Sequence, residues 1–282
     1  MQAIGDTGRM ETNSKSLNLF SRLILTASLA CGLVLAKLEV SQAESSAATS
    51  KAKITAQTQR SLELNERGVI AIKSKDFSQA EDLFKEALNI DSRNITAVFN
   101  LAGMYITNKK EQQAVALLTE YTKSMPKDAG LHARLGDAYF GSQDPKNALK
   151  SYESAYKLDP KYPGLSGKLA TLYAMSNNLN KSAQMYETAL KASPKDIQSL
   201  RNLSNVYLGL GKPKQSIATA KKALQLSSSA ETYVTLGNAY QELNDFSSAL
   251  NSYQRAKELG YKDPNLGKVI DAMIAKTTKG TT

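Results

Sequence analysis

Leu135-Gly136-Asp137-Ala138-Tyr139, continued by Ala148, Tyr152, Ala155 and Pro160, is one of six near-copies of a single pattern. Its small residue recurs as Gly68, Ala102, Gly136, Ala170, Ser204 and Gly237, at intervals of 34, 34, 34, 34 and 33 residues. Three positions on stand Ala71, Tyr105, Tyr139, Tyr173, Tyr207 and Tyr240. Twelve positions after the small residue come Ala80, Ala114, Ala148, Ser182, Ser216 and Ala249, and four further on Phe84, Leu118, Tyr152, Tyr186, Ala220 and Tyr253. Self-similarity at a fixed period of this length is the mark of a stacked repeat array.

Within each period the apolar residues fall at helical spacing, as in Leu101, Met104 and Tyr105 and again in Ala114, Leu117, Leu118 and Tyr121. Breakers separate the halves: Lys75-Asp76, Thr107-Asn108, Ser142 to Pro145, Asn177-Asn178, Gly211 to Pro213 and Asn244-Asp245. Pro126, Pro160 and Pro194 then stop the second half, because proline cannot continue a helix. Each unit is therefore a helix, a turn and a second helix. One hairpin cannot bury its apolar face alone, so neighbours must stack. The spacing predicts six units, at 61–94, 95–128, 129–162, 163–196, 197–229 and 230–262. Beyond them Asp263-Pro264 reads as an N-cap with proline at the first helical position. The stripe Leu266, Val269, Ile270, Met273 and Ile274 predicts a capping helix over 263–277, with 278–282 a disordered tail.

This run of leucine, small residue, tyrosine, alanine, aromatic, alanine and proline resembles the tetratricopeptide repeat. The resemblance implies an all-α fold: a right-handed superhelical solenoid of six helix-turn-helix repeats plus a C-terminal capping helix. The tryptophan common near the start of that repeat is replaced by Leu64, Val98, His132, Ser166, Leu200 and Tyr233, and the fourth copy departs most, with Gly164, Ser166 and Gly167.

The first sixty residues read as an address. Lys15 and Arg22 precede an apolar stretch of 14 residues from Leu23 to Ala36, and Ser41-Gln42-Ala43 offers a small-x-small cleavage site. This is the pattern of a secretory signal peptide over 1–43, cut after Ala43, with Met10 an alternative start. The stretch is shorter than the about 20 residues that span a bilayer. Retention as an anchor is the competing reading. Cys31, the only cysteine, half resembles a bacterial lipoprotein processing site, although Ser28 stands where leucine is usual. Residues 44–60, small and polar, read as a flexible linker. These features predict a periplasmic protein, with attachment to the cell envelope as the alternative.

The chain carries a net charge of +10; losing the leader's four basic and three acidic residues leaves +9. Lysines such as Lys146, Lys150, Lys157, Lys191 and Lys221 fall on second helices and read as a solvated outer wall. In tetratricopeptide arrays the concave groove is lined from the first helices. Carried over by register, its candidates are Phe99, Asn100, Arg134, Asp137, Lys168, Arg201, Asn202, Asn205, Thr235 and Asn238. Arg134, Lys168 and Arg201, from three consecutive repeats, are expected to form a basic line. Asparagines beside it can hold peptide backbone, and arginine can grip a carboxylate. The groove is thus expected to take an acidic or C-terminal segment of a protein partner. The carboxylate clamp of chaperone-binding members is matched only at Arg201 and Asn205, with Thr235 where the next asparagine would stand.

Other chemistry finds no residues to carry it. His132 is the only histidine and lacks a cysteine partner, so no zinc site of the usual kinds forms. No HExxH, Gly-x-Ser-x-Gly, Walker loop or dinucleotide fingerprint is present. The tyrosines recur at packing positions and are not a stacking platform for nucleic acid. The expectation is a non-catalytic interaction scaffold without metal, cofactor or nucleic acid. The competing readings are a membrane-tethered assembly factor for a pilus or secretion machine, and a self-assembling homo-oligomeric scaffold.

Overall fold

The computed structural model describes residues 53–279, with side chains to residue 277. The leader, Cys31 and residues 44–52 of the linker lie outside the described residues. Among those described, every regular element is an α-helix: α1 (53–73), α2 (Phe77–Ile90), α3 (Ile95–Thr107), α4 (Glu111–Ser124), α5 (Ala129–Gly141), α6 (Pro145–Leu158), α7 (Leu165–Met175), α8 (Leu179–Ala192), α9 (Ile197–Gly209), α10 (Pro213–Leu226), α11 (Ala230–Glu242), α12 (Phe246–Glu258) and α13 (Leu266–Lys279). They fall into two compact units. The first holds α1 and nearly all of α2, and the second begins at Ile95 and also takes Ser74–Phe77.

In the first unit α1 packs on α2 through Gly68, where an added Cβ would stand 2.5 Å from the Phe84 ring. The Ser61 hydroxyl donates to the Ala87 carbonyl at 2.8 Å and accepts from the Asn94 amide at 2.8 Å. One buried serine thus ties together α1, α2 and the loop that follows α2. Residues 53–60, assigned above to the linker, are helical; Lys53-Ile54-Thr55-Ala56-Gln57 contains no glycine or proline to prevent α1 starting early.

In the second unit the helices pack on neighbours one or two places along the chain. The small residue of each first helix faces the bulky residue of the second. A Cβ on Gly237 would lie 2.6 Å from the Tyr253 ring, and one on Gly136 closer still to Tyr152. Where the second helix carries serine in place of alanine, the hydroxyl bonds across the hairpin: Ser182 to the Ala170 carbonyl and Ser216 to the Ser204 carbonyl, both at 2.8 Å. On the other side the tyrosines three residues beyond the small site reach back to the preceding hairpin. Tyr173 donates to Glu153 and Tyr207 to Glu187, each at 2.7 Å. Lys221 occupies the next such place and sits 5.5 Å over the Tyr240 ring instead.

The turns share one backbone device. The seventh residue after the small site is left-handed in all six hairpins: Lys75, Lys109, Gln143, Asn177, Gly211 and Asn244, with φ between 58° and 66°. Side chains enter the following helices as caps at Asp144, Asn178 and Asp245. Glycine adopts positive φ at no steric cost and asparagine tolerates it, whereas lysine and glutamine pay about 1 kcal/mol. Gln143→Gly is therefore expected to raise unfolding stability by about 1 kcal/mol, and Asn177→Gly to change it by only a few tenths; urea unfolding of the two variants checks both.

The C-terminal helix differs from its sequence reading at both ends. Pro264 lies in a turn two residues ahead of α13, with Asp263 accepting from the Asn265 amide at 2.8 Å. The helix continues to Lys279, so residues 278–279 are not tail; 280–282 lie outside the described residues. Leu266, Ile270 and Met273 bury against Ala249 and Tyr253 of α12, and Lys276 sits 4.7 Å over the Phe246 ring.

Candidate peptide-binding face

The first helices of the second unit present a row of side chains joined from repeat to repeat, with hydroxyls from the second helices reaching between them. On α5 and α7, Arg134 lies 3.7 Å from Asp137, and Lys168 bonds the same carboxylate. From below, the Tyr152 hydroxyl donates to Asp137 at 2.6 Å. Burial, and then the Asp137 charge, push the Tyr152 hydroxyl far above its ordinary value, so it is a donor at neutral pH. Phe99 of α3 carries the Arg134 guanidinium 5.9 Å from its ring centroid. Gly130 leaves it room, since a Cβ there would stand 2.9 Å from that ring. Two cations share one carboxylate, and both side chains are exposed, Arg134 by 40% and Lys168 by 45%. Such pairs contribute at most about 1 kcal/mol to stability. Their effect is to hold two charged heads side by side with N–H donors to spare.

Beyond α7 the row is uncharged. Tyr186 bridges Thr171 and Asn202 at 2.9 Å each, and Gln198 donates to Asn202 at 2.9 Å. Thr235, buried on α11, donates to the exposed Asn205 across from α9 at 2.5 Å. Tyr253 reaches the exposed Asn238 at 2.7 Å. Asn100 occupies the matching position on α3, two residues before Ala102, and is half-buried.

Arg201 does not join the line expected of it. It stands three residues before the small Ser204, whereas Arg134, Lys168 and Asn202 stand two residues before theirs. One residue is about 100° of helix, and the guanidinium turns toward the α10–α11 loop, 3.5 Å from the Ser227 hydroxyl. Its Nε is buried without a hydrogen-bond partner. It also supports Glu231, which the Ser229 hydroxyl chiefly holds below the usual carboxylate range. The charged part of the face is therefore Arg134 and Lys168, with Asn202 third in line. The sequence reading treated Tyr152, Tyr186 and Tyr253 as packing alone; the signal for their second role is tyrosine where Phe84 and Leu118 stand in the first two repeats. His132, half-buried, uses its Nε2 on the Pro126 carbonyl at 3.0 Å. Among the described residues no group of three His, Cys, Asp or Glu gathers as metal ligands would, and no helix is long and apolar enough to cross a membrane.

Family models described as tetratricopeptide repeat match residues 71–138 and 139–204, and again 197–229 and 230–259. The heat shock protein sti1 homolog of Schizosaccharomyces pombe is 32% identical over 95 residues, 34% of this chain but only 16% of that protein's length. Among solved structures, PilF of Pseudomonas aeruginosa is similar with a TM-score of 0.62 at 13% identity, over 78% of this chain and 99% of that one. MamA is similar with a TM-score of 0.53 at 21% identity, over 60% and 92%. Identities this low show the shared fold alone. The repeated hairpins and the matches across 71–259 agree: the chain belongs to the tetratricopeptide repeat family, whose arrays mediate contacts between proteins.

Proposed function

We propose that the face made by α5, α7, α9 and α11 binds an extended segment of a partner protein, and that this binding, without catalysis, is the protein's role. The observation that supports it most is the change of character along one row. Arg134 and Lys168 suit an acidic side chain or terminal carboxylate, and Asn202, Asn205 and Asn238 suit the backbone that follows. We place the scaffold in the periplasm on the leader-like residues 1–43, with lipidation at Cys31 or a retained leader as the route to a tethered form. The mass of the native N-terminus separates these forms.

Partners recovered from the envelope fraction test the face. Arg134→Ala/Lys168→Ala is expected to weaken a captured partner about ten-fold or more at low salt, with the difference shrinking as salt screens exposed charge. Melting should move little, because surface changes stay within about 0.5 kcal/mol each. Arg201→Ala, off the line, should leave affinity unchanged. Equal affinity of the double variant and the wild type, measured by titration calorimetry, would remove this face from the proposal.

A further inference from the structure

One position breaks the repeat. Four residues before the small site stand Leu64, Val98, His132, Leu200 and Tyr233, but Ser166 in the fourth copy. Leu64, Val98 and Leu200 are buried, and His132 and Tyr233 half-buried. The position normally fills packing space. At Ser166 that space stays open: a depression of about 480 Å³ lies where α7, α8 and α9 meet, with Ser166, Ala189, Ala192 and Ser199 on its walls. The adjoining glycines leave it open too. A Cβ on Gly164 would meet nothing within 4 Å, and one on Gly167 only the Ser199 hydroxyl at 3.9 Å. The volume lies in the range of clefts that take a whole small ligand, about 300–1,000 Å³, which leaves room for a side chain together with the backbone on either side of it.

We propose that this depression is a socket for one leucine-sized side chain of a partner protein, flanked in that partner by acidic residues. The bulk that the other repeats supply from their own chain would here come from outside. Lys161 and Lys191 stand on its lining, both exposed and neither in an ion pair among the described residues. The one carboxylate there, Asp196, is already engaged: it accepts from the Ser199 hydroxyl at 2.5 Å and from the Gln198 amide at the start of α9. The lining therefore carries two positive charges against one negative, and the negative one is turned toward the start of α9. The socket uses none of the residues of the proposed peptide-binding face, so either can fail without the other.

The test titrates the full-length, 15N-labelled chain with the capped tripeptide Ac-Glu-Leu-Glu-NH2, read by NMR. Saturable shifts are expected at amides of 161–167 and 188–199. They should be about ten-fold weaker with Ac-Glu-Ala-Glu-NH2, as loss of buried methylenes implies, and weaker also with Ac-Lys-Leu-Lys-NH2. Ser166→Leu, filling the socket from within, should abolish the shifts while helicity is kept. Should that variant not fold, Lys161→Ala/Lys191→Ala is read instead and should weaken binding several-fold. Lys150→Ala, exposed on α6 and away from the lining, should leave it unchanged. No saturable shift in the wild type, or shifts that survive in both socket variants, would show a packing vacancy only and overturn the proposal.

Discussion

Gly136→Val is expected to lower the free energy of unfolding by about 3 kcal/mol, at the upper end of what overpacking costs. Even a Cβ at this position falls inside the contact distance of the Tyr152 ring. The ring cannot retreat freely, because its hydroxyl is held by Asp137, itself bonded to Lys168. A branched side chain must therefore move α6 away from α5 or break that junction. Gly136→Ala is the informative companion: better helix propensity offsets about 1 kcal/mol of its clash, and Ala170 already stands opposite Tyr186 in the next repeat. Chemical denaturation of the two variants checks the difference. A valine variant as stable as wild type would mean that the interhelical spacing is set elsewhere.

Alkaline solution should produce the second large effect. Burial raises the hydroxyls of Tyr152, Tyr173, Tyr207 and Tyr253, with Asp137, Glu153 and Glu187 adding to the first three. Tyr207 and Tyr253 are pushed up to about 12. A raised value in the folded chain gives stability that is complete below the unfolded value near 10 and is lost as pH climbs from there to the folded value. Tyr253, almost wholly buried, would lose on the order of 2 kcal/mol by pH 12. Of the 13 tyrosines, these four are expected to ionise late, together with the loss of helicity. Absorbance at 295 nm followed beside circular dichroism checks this. Smooth ionisation of every tyrosine near pH 10 with helicity intact would contradict it.

The hairpins were legible because packing repeats: the contact between Gly237 and Tyr253 is the contact between Gly136 and Tyr152, so the chain spells it twice. Breakers marked the turns for the same reason. The left-handed residue in each turn was not legible at Lys75, Lys109 or Gln143, whose side chains give no sign of positive φ. Neither was the start of α1, where small polar residues suit a helix as well as a tether. On the candidate face Arg134, Lys168 and Asn202 share one register, two residues before the small site. Arg201 misled because basic character drew it into a line that a one-residue offset denies it. The Ser166 gap was visible as a departure from the repeat, but only the depression shows what the departure leaves behind.

In the second unit each helix leans only on helices one or two places away in the chain, and this has a mechanical consequence. Tension applied at the C-terminal end is transmitted in series: every hairpin bears the same force, and α13 with the hairpin beneath it, supported from one side, gives way first. Such an array yields from its end, one hairpin after another. Each release frees about 34 residues, or about 120 Å of extended chain. A partner held on α5 and α7 would keep its seat while the far end paid out slack, so the molecule can act as an extensible strap as well as a platform.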